Sequence, residues 1–542
     1  MARTVAAMGR LWRAASDAER LVRVHDRLLF LAAYPPSRLV RRRAEALLAT
    51  TASAVERLEA AGADMSVFDE PEVAGVAGTT ITTDFSFDLT RWLAVRFPRR
   101  LAIDWGACDA PDRMRATWPE FLPLLEEEAL ADANVPYRTW LAAAAGRRSD
   151  DLDWLLERYE RLPLSRDERA ERWDALGVPV EWSLGDSRAS RTRMRRAGPA
   201  LFVHDRPLLA RRDVSVDEVF SSSPLPIRRL SRRKGQNLCD LVRETTAARY
   251  REFYTFTHAD PSSVLAARPG RGVELFLVGV RPERRLPLRA AYGGFVVKNG
   301  VPIGYIEGLA FIDRLEIGFN MYYAFREGES AWIYAQVLKF HRDALGVTSF
   351  SVDPYQLGFE NEEAIESGAF WFYRKLGFRP TDPRVAARVA REEERIRARP
   401  SYRSSERVLR GLVTHNVLYE PPGAPAGAWD RFHIRNLGLA VNRRIGRRFA
   451  GDPARARAAA EKRVQAALGL RTRGWSPLEK KAFEAFALVL DGVPGLAHWT
   501  SRERQGVGEI IRAKAGRNER RYLRLLQRHR RLREALIRLG SL

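Results

Sequence analysis

An Asn-Gly pair at residues 299 and 300 constrains this chain more than any other short segment. It lies between two apolar runs, at 290–298 and 301–311, which are rich in β-branched and aromatic residues. Asn-Gly favours a type I′ turn, because both central residues of that turn need a positive φ. Similar runs occur at 273–280 and 315–325. The sequence therefore predicts an antiparallel meander of strands in the middle of the chain.

The segment after the meander alternates between helical and strand-like patterns. Apolar residues recur at helical spacing, and Gly346 and Gly377 follow two of the helical runs, where a glycine relieves left-handed strain. The predicted elements, in order, are a helix at 330–345, a strand at 347–352, helices at 362–376 and 383–398, and a strand at 414–419. Together with the meander, they predict a mixed α+β domain.

The two ends of the chain are predicted to be mainly helical. Residues 1–230 show helical apolar spacing, for example at 17–33. Residues 421–542, which begin in the Pro/Gly/Ala-rich segment 420–428, contain 27 Lys and Arg against 10 Asp and Glu, a net charge of +17 out of +23 for the chain. We therefore expect a helical region of unknown role at 1–230, an α+β domain at 231–420, and a basic helical domain at 421–542.

Composition argues against several classes of protein. The two cysteines, Cys108 and Cys239, lie far apart and the eight histidines form no metal-binding spacing, so no metal site is expected. The apolar stretch before Arg10 is too short for a signal peptide, and no apolar run is long enough to span a membrane. These features predict a cytoplasmic protein.

Residues 369–380 carry the most specific pattern in the chain, Ala-Phe-Trp-Phe-Tyr-Arg-Lys-Leu-Gly-Phe-Arg-Pro. It is similar to the Ala-x-x-x-Tyr-x-x-x-Gly-Phe pattern of the GNAT superfamily of acyl-CoA-dependent N-acyltransferases. The order of the predicted elements over about 270–420 also resembles the core of that superfamily. The resemblance implies a mostly antiparallel sheet with helices, acyl-CoA (in the first instance acetyl-CoA) as co-substrate, and an amine as acceptor.

The turn at 326–331 resembles the family's Arg/Gln-x-x-Gly-x-Gly/Ala loop, in which backbone N–H groups at a helix start bind the CoA pyrophosphate. Glu329 stands where the family's central glycine usually lies. The resemblance implies cofactor-binding roles for residues of this turn and for an asparagine upstream of residue 369. These residues are Arg326, Gly328, Ser330, Ala331 and Asn361.

Three side chains are candidates for the chemistry. Tyr373 matches the family's tyrosine, which protonates the departing CoA thiolate. Glu307 shares a strand face with the apolar Tyr305 and Leu309, and a carboxylate in such surroundings has a raised pKa. Glu316 lies on the more polar face of the next strand, from which the family often draws its base. Either carboxylate is a candidate general base, and a purely structural role is the alternative for each.

Two other functions remain open. The chain is also consistent with a catalytically degenerate GNAT-like protein that binds nucleic acid or an acidic partner through its basic C-terminal helices. The arginines at 443–448 and 520–533 could neutralise several phosphates. A third alternative is an aminoacyl-transferase that resembles the Fem-type enzymes, although a single GNAT-like core is evident.

Overall fold

The structure, a computed structural model, describes residues 7, 9, 10, 12, 17–108, 137–146, 150–198, 201–425 and 427–541. Residue 426 and parts of the predicted 1–230 region, including its first residues, therefore lie outside the described residues. The chain divides into two compact units. The first contains Met1–Asp205, Asp240–Thr257 and Asn299–Pro302, and the second contains Arg206–Cys239, His258–Lys298 and Ile303–Leu542.

The first unit is mainly helical and includes a small antiparallel sheet of order β1-β3-β2. Its strands are β1 Thr80–Thr83, β2 Leu101–Ile103 and β3 Val180–Ser183. Before residue 177, the helices that the described residues define with full bounds are α1 Ala18–Ala33, α2 Arg38–Leu48, α3 Thr51–Ala60, α4 Phe87–Arg96, α5 Tyr137–Ala145, α6 Asp151–Arg161 and α7 Arg166–Leu176. Trp173, Trp182 and Tyr159 are completely buried in its core.

Three helices follow between residues 206 and 257: α8 Val216–Ser221, α9 Arg232–Ala247 and α10 Tyr254–Thr257.

The second unit is built on a nine-stranded sheet of order β11-β12-β10-β9-β8-β7-β6-β5-β4. Its strands are β4 Arg228–Arg229, β5 Leu265–Gly270, β6 Val273–Gly279, β7 Ala290–Lys298, β8 Val301–Phe311, β9 Arg314–Met321, β10 Ser349–Val352, β11 Arg379–Pro380 and β12 Val417–Tyr419. The pairing of β9 with β10 is parallel, and the other registers are antiparallel. The mixed α+β class and the antiparallel meander are thus confirmed.

The helices between the meander and residue 420 are α11 Ser330–Leu345, α12 Pro354–Leu357, α13 Glu362–Glu366, α14 Ala369–Arg374, α15 Pro383–Ala398 and α16 Glu406–Leu412. The predicted hairpin turn is confirmed, since Asn299 and Gly300 have φ of 50° and 82°. The predicted end of α11 is also confirmed, because Gly346 takes a left-handed φ of 75° directly after Leu345.

Two of the predicted elements differ from the structure. The prediction of one helix at 362–376 is wrong, because Gly368 adopts φ 65° and separates α13 from α14. The strand predicted at 315–325 ends at Met321, and the Tyr323–Phe325 segment forms a 3₁₀ turn instead. Both breaks leave short connections on the side of the sheet where β9 and β10 end.

The basic region after residue 420 is helical, as predicted. Its helices are α17 Ile434–Phe449, α18 Pro453–Leu468, α19 Pro477–Leu490, α20 Ser501–Ala515, α21 Glu519–Arg528 and α22 Arg530–Gly540. These helices contact the connections between the strands of the sheet: Tyr522 donates to the Leu288 carbonyl (2.5 Å), and Gln527 donates to the Ile312 carbonyl (2.9 Å). Among the residues described, we find no helix that is both long and apolar enough to cross a membrane.

Candidate functional site

The strands β9 and β10 pair over a short distance and then separate. Their parallel register runs only from Arg314 opposite Ser349 to Glu316 opposite Ser351. The Arg314 guanidinium donates to the Ser351 hydroxyl (3.0 Å) at this closed end. β10 stops at Val352, and the chain turns into α12, while β9 continues to Met321. The far half of β9 therefore borders an opening in the sheet, which we call the β9–β10 cleft.

A cavity of about 350 Å³ occupies the β9–β10 cleft. Four of the residues predicted from the sequence line it, namely Arg326, Ser330, Asn361 and Tyr373. The structure thus brings together side chains from the turn before α11, from α13 and from α14. The predicted residues Gly328 and Ala331 do not line the cavity, and Ala331 is buried in the first turn of α11.

The cleft reaches both faces of the sheet. Phe319 lines it on the face that α11 covers, where its ring lies 4.9 Å from that of Tyr334. Asn320, the next residue of β9, also lines it and points to the opposite face. Gln356 of α12 completes the wall on that side, where a Cβ at Gly318 would lie 3.4 Å from its side chain. A bound molecule could therefore extend from one face of the sheet to the other.

The turn before α11 is held by a buried carboxylate. Glu329 accepts hydrogen bonds from the Arg271 guanidinium (3.0 Å) and the Leu209 amide (3.2 Å), and Lys298 lies 3.3 Å away. Burial opposes ionisation of Glu329, but the Arg271 hydrogen bond and the Lys298 charge outweigh it and lower its pKa. Because Glu329 is engaged in this way, it provides no side-chain cap for α11. The N–H groups of the first helical turn are left for another partner.

Arg326 lies at the mouth of the cleft. Its guanidinium pairs with Glu363, which also lines the cavity, and it stacks 4.9 Å from the ring centroid of Tyr323. Both charged groups are partly exposed. An ion pair this exposed contributes little stability, so a bound anion can replace Glu363 at low cost.

Tyr373 lies deeper in the cleft, on α14. Its ring packs edge-on against Tyr334 (5.6 Å between centroids) and Phe378 (5.7 Å). Burial raises the pKa of the Tyr373 phenol well above its ordinary value, so the group stays protonated at neutral pH. The neighbouring Tyr334 hydroxyl is completely buried and finds no hydrogen-bond partner among the described residues. An aromatic wall thus surrounds one protonated phenol that faces the cavity.

The two carboxylates predicted as bases lie on the same face of the sheet but in different surroundings. In the β8–β9 register, Glu307 is opposite Gly318 and Leu309 is opposite Glu316. Glu316 is already paired with Arg289 (3.3 Å). Burial raises the pKa of Glu307, which makes no ion pair within the described part of the chain. Gly318, which is opposite Glu307, lies beside the side chain of the cleft residue Gln356. Glu307 is therefore on the strand next to the cleft wall.

Asn361 has a structural role in the cleft. Its side-chain oxygen caps α13 by accepting from the Ala364 amide (3.2 Å), and its side-chain nitrogen donates to the Tyr355 carbonyl (3.1 Å). Phe319, which also lines the cavity, was not predicted from the sequence. Gln356 follows the break between β10 and α12 at Asp353-Pro354, which the sequence signals because Pro cannot continue a central strand.

Comparisons with known proteins give no relative for this chain. No family model, curated protein or solved structure matches it. Within the described residues, no group of three His, Cys, Asp or Glu side chains is placed to hold a metal ion.

Proposed function

We propose that this protein is an acyl-CoA-dependent N-acyltransferase that binds its co-substrate in the β9–β10 cleft. One observation carries the proposal. A single cavity between two diverging parallel strands joins an uncapped helix start, an exposed arginine and a buried phenol. Those three groups suit the pyrophosphate, the remaining phosphate and the thioester sulfur of an acyl-CoA, respectively.

The phosphate end of the cofactor lies at Ser330 in this proposal. Free N–H groups and the dipole of α11 attract a pyrophosphate there, and α11 is long enough, at 16 residues, for a full dipole. Arg326 exchanges its surface partner Glu363 for a cofactor phosphate. Glu329 does not repel the anion strongly, because Arg271 and Lys298 neutralise its charge.

The thioester end lies beside Tyr373. The acceptor amine nitrogen attacks the thioester carbonyl carbon, and the carbon–sulfur bond then breaks. The Tyr373 hydroxyl, which burial keeps protonated, gives its proton to the departing thiolate. Solvent returns the proton to Tyr373 between turnovers.

The acceptor approaches from the opposite face of the sheet, where Asn320 and Gln356 line the cleft. Glu307 is the better of the two candidate bases, because Glu316 is held by Arg289. Its raised pKa makes it a stronger base than an ordinary carboxylate. It takes the proton that the amine loses, directly or through a water molecule.

Calorimetric titration with acetyl-CoA tests the proposal. We expect binding by the full chain, and weakening of at least about tenfold in Ser367→Trp, because Ser367 lines the cavity at its exposed rim and an indole there blocks the cleft. Glu366→Trp is the matched control, since Glu366 is exposed, adjacent and absent from the lining. Absence of binding to acetyl-CoA and longer acyl-CoAs contradicts the proposal, as does equal binding by both variants.

A further inference from the structure

The outer face of α21 is a row of arginines. Arg521, Arg524 and Arg528 follow one another at intervals of three and four residues, which places them on one side of the helix, and Arg517 lies just before its start. All four are exposed. The opposite side of α21 buries Tyr522, Leu523 and Leu526 in the interior of the second unit. Packing therefore fixes which side of α21 carries the charges.

These four arginines have no carboxylate partner among the residues that the structure describes. The next helix is different. Arg530 pairs with Glu534 (2.9 Å), Arg531 with Glu503 (3.1 Å) and Arg533 with Asp313 (2.8 Å). The fold thus neutralises these three arginines of α22 and leaves those of α21 without a carboxylate partner among the described residues, although like charges repel one another along a helix.

Two more arginines extend the row at the start of α21. Arg229 and Arg520 line a small cavity together with Arg517. Burial and the nearby charges of Arg524 and Arg229 lower the pKa of Arg520. We call the six residues the arginine surface: Arg229, Arg517, Arg520, Arg521, Arg524 and Arg528.

The cavity beside the arginine surface has an unused hydrogen-bond donor at its floor. Tyr292 lines it, is only 4% exposed, and its hydroxyl finds no partner within the described residues. Glu519, the one carboxylate of the lining, is neutralised by Lys514 (2.5 Å) and Arg285 (3.5 Å). The cavity holds about 40 Å³, which is room for a water molecule or one oxygen-rich group. This cavity is thus lined both by positively charged side chains and by a hydroxyl that has no partner among the described residues.

We infer that the arginine surface binds the phosphate backbone of a nucleic acid. From Arg521 to Arg528 the helix rises about 10 Å, which matches about three nucleotides of one strand. A membrane surface fits less well, because residues 501–541 expose no large apolar side chain that could insert between lipids. The contacts go to phosphates, since no exposed aromatic ring is available there for base stacking. This inference does not depend on acyl transfer.

Fluorescence anisotropy with labelled duplex DNA and single-stranded RNA of about 20 nucleotides tests the inference. We expect the full chain to bind at least one of them. Replacing Arg517, Arg521, Arg524 and Arg528 by Gln weakens binding at least about 100-fold at about 100 mM KCl. The slope of log affinity against log salt becomes shallower by about 0.9 for each duplex phosphate that the variant no longer neutralises. All four residues are exposed, so the variant is expected to fold, which its thermal unfolding curve checks.

A control variant removes the same charge elsewhere. Arg455, Arg457, Arg471 and Arg473 are exposed residues of the same basic region, and their replacement by Gln changes the net charge equally. The inference requires this control to retain most of the affinity. Equal losses in the two variants overturn it, because binding then follows net charge alone. Binding to vesicles of anionic lipid without binding to either oligonucleotide overturns it as well.

Discussion

Lys298 Nζ lies 3.3 Å from Glu329 Oε2, and both side chains are completely buried. Burial lowers the pKa of Lys298 to about 8, although the charge of Glu329 acts in the opposite direction. The pair joins the end of β7 to the turn before α11, and Arg271 completes it from the loop between β5 and β6. Ion pairs between residues that are far apart in sequence therefore hold the turn that borders the cleft.

Replacing Glu329 by Gln should destabilise this part of the second unit. The change leaves Lys298 without its buried carboxylate, which costs about 3 kcal/mol. Hydrogen exchange of the α11 amides measures the loss locally, which matters because a chain of two units need not unfold in one step. Glu327→Gln, at an exposed neighbouring position, is the control. Unchanged exchange in Glu329→Gln contradicts this account of the turn.

Replacing Tyr373 by Phe should lower turnover about 100-fold, with acetyl-CoA affinity nearly unchanged, because the proton donor is lost and the ring is kept. Tyr334→Phe is the matched control. It removes a neighbouring hydroxyl that is buried and finds no partner among the described residues, so turnover should be retained. Steady-state kinetics and calorimetry on both variants separate the outcomes. Equal turnover in the two variants would exclude Tyr373 as the acid.

The pH dependence of turnover should follow Glu307. Burial raises its pKa above the ordinary 4.5, so turnover rises as the pH increases through that raised pKa and the carboxylate becomes a base. Glu307→Gln should lower turnover and remove this limb of the profile. Glu316→Gln should retain the limb, since Glu316 is paired with Arg289. A limb that disappears in Glu316→Gln instead would assign the base to that residue.

Local signals in the sequence were sufficient to predict much of the secondary structure of the second unit. The Asn299-Gly300 turn was predictable because only residues that tolerate positive φ fit it. The end of α11 at Gly346 was predictable for a similar reason. Gly368 was harder to interpret, because the apolar spacing continues across it and a glycine inside a helical pattern is often tolerated. The structure shows that the helix is interrupted at Gly368.

The cleft itself could be predicted only in part. Tyr373 and Arg326 belong to local patterns, and the structure places both in the cavity. The separation of β9 from β10 depends on a parallel register of three residues, which no local pattern encodes. The role of Glu329 likewise depends on Arg271 and Lys298, 58 and 31 residues away in sequence. Contacts of this kind follow from the tertiary fold.

A buried histidine should make the first unit sensitive to acid. His25 lies 2.9 Å from the Thr192 hydroxyl and 3.1 Å from Asp26, which pairs with Arg191. Burial lowers the pKa of His25, and Arg191 lowers it further. Burial opposes ionisation of Asp26, but Arg191 and His25 lower its pKa to about 2. The unfolded chain therefore takes up protons before the folded unit does, and stability is lost as the pH falls below about 6.5.

Hydrogen exchange of the α1 amides at about pH 7 and about pH 5, corrected for intrinsic exchange rates, measures this loss. His25→Gln keeps an uncharged partner for Thr192 and removes the titration. We expect the variant to show a smaller change in protection between the two pH values than the unmodified chain. An equal change in both would assign the acid sensitivity to other groups.

Lys339 should keep α8 folded through its hydrogen bonds. Its ammonium donates to the carbonyls of Val219 (3.0 Å), Ser222 (3.0 Å) and Ser223 (2.6 Å) from within α11. Lys339→Met keeps most of the side-chain volume but leaves these carbonyls without their donor, at a cost of about 1 to 3 kcal/mol. Hydrogen exchange of the Val216–Ser221 amides should then be about 10- to 100-fold faster, while Lys480→Met, at an exposed position on α19, should leave it unchanged. If the exchange of α8 is the same in both variants, the ammonium does not hold this segment, and the packing of Phe220 against Phe350 (5.8 Å between centroids) must do so.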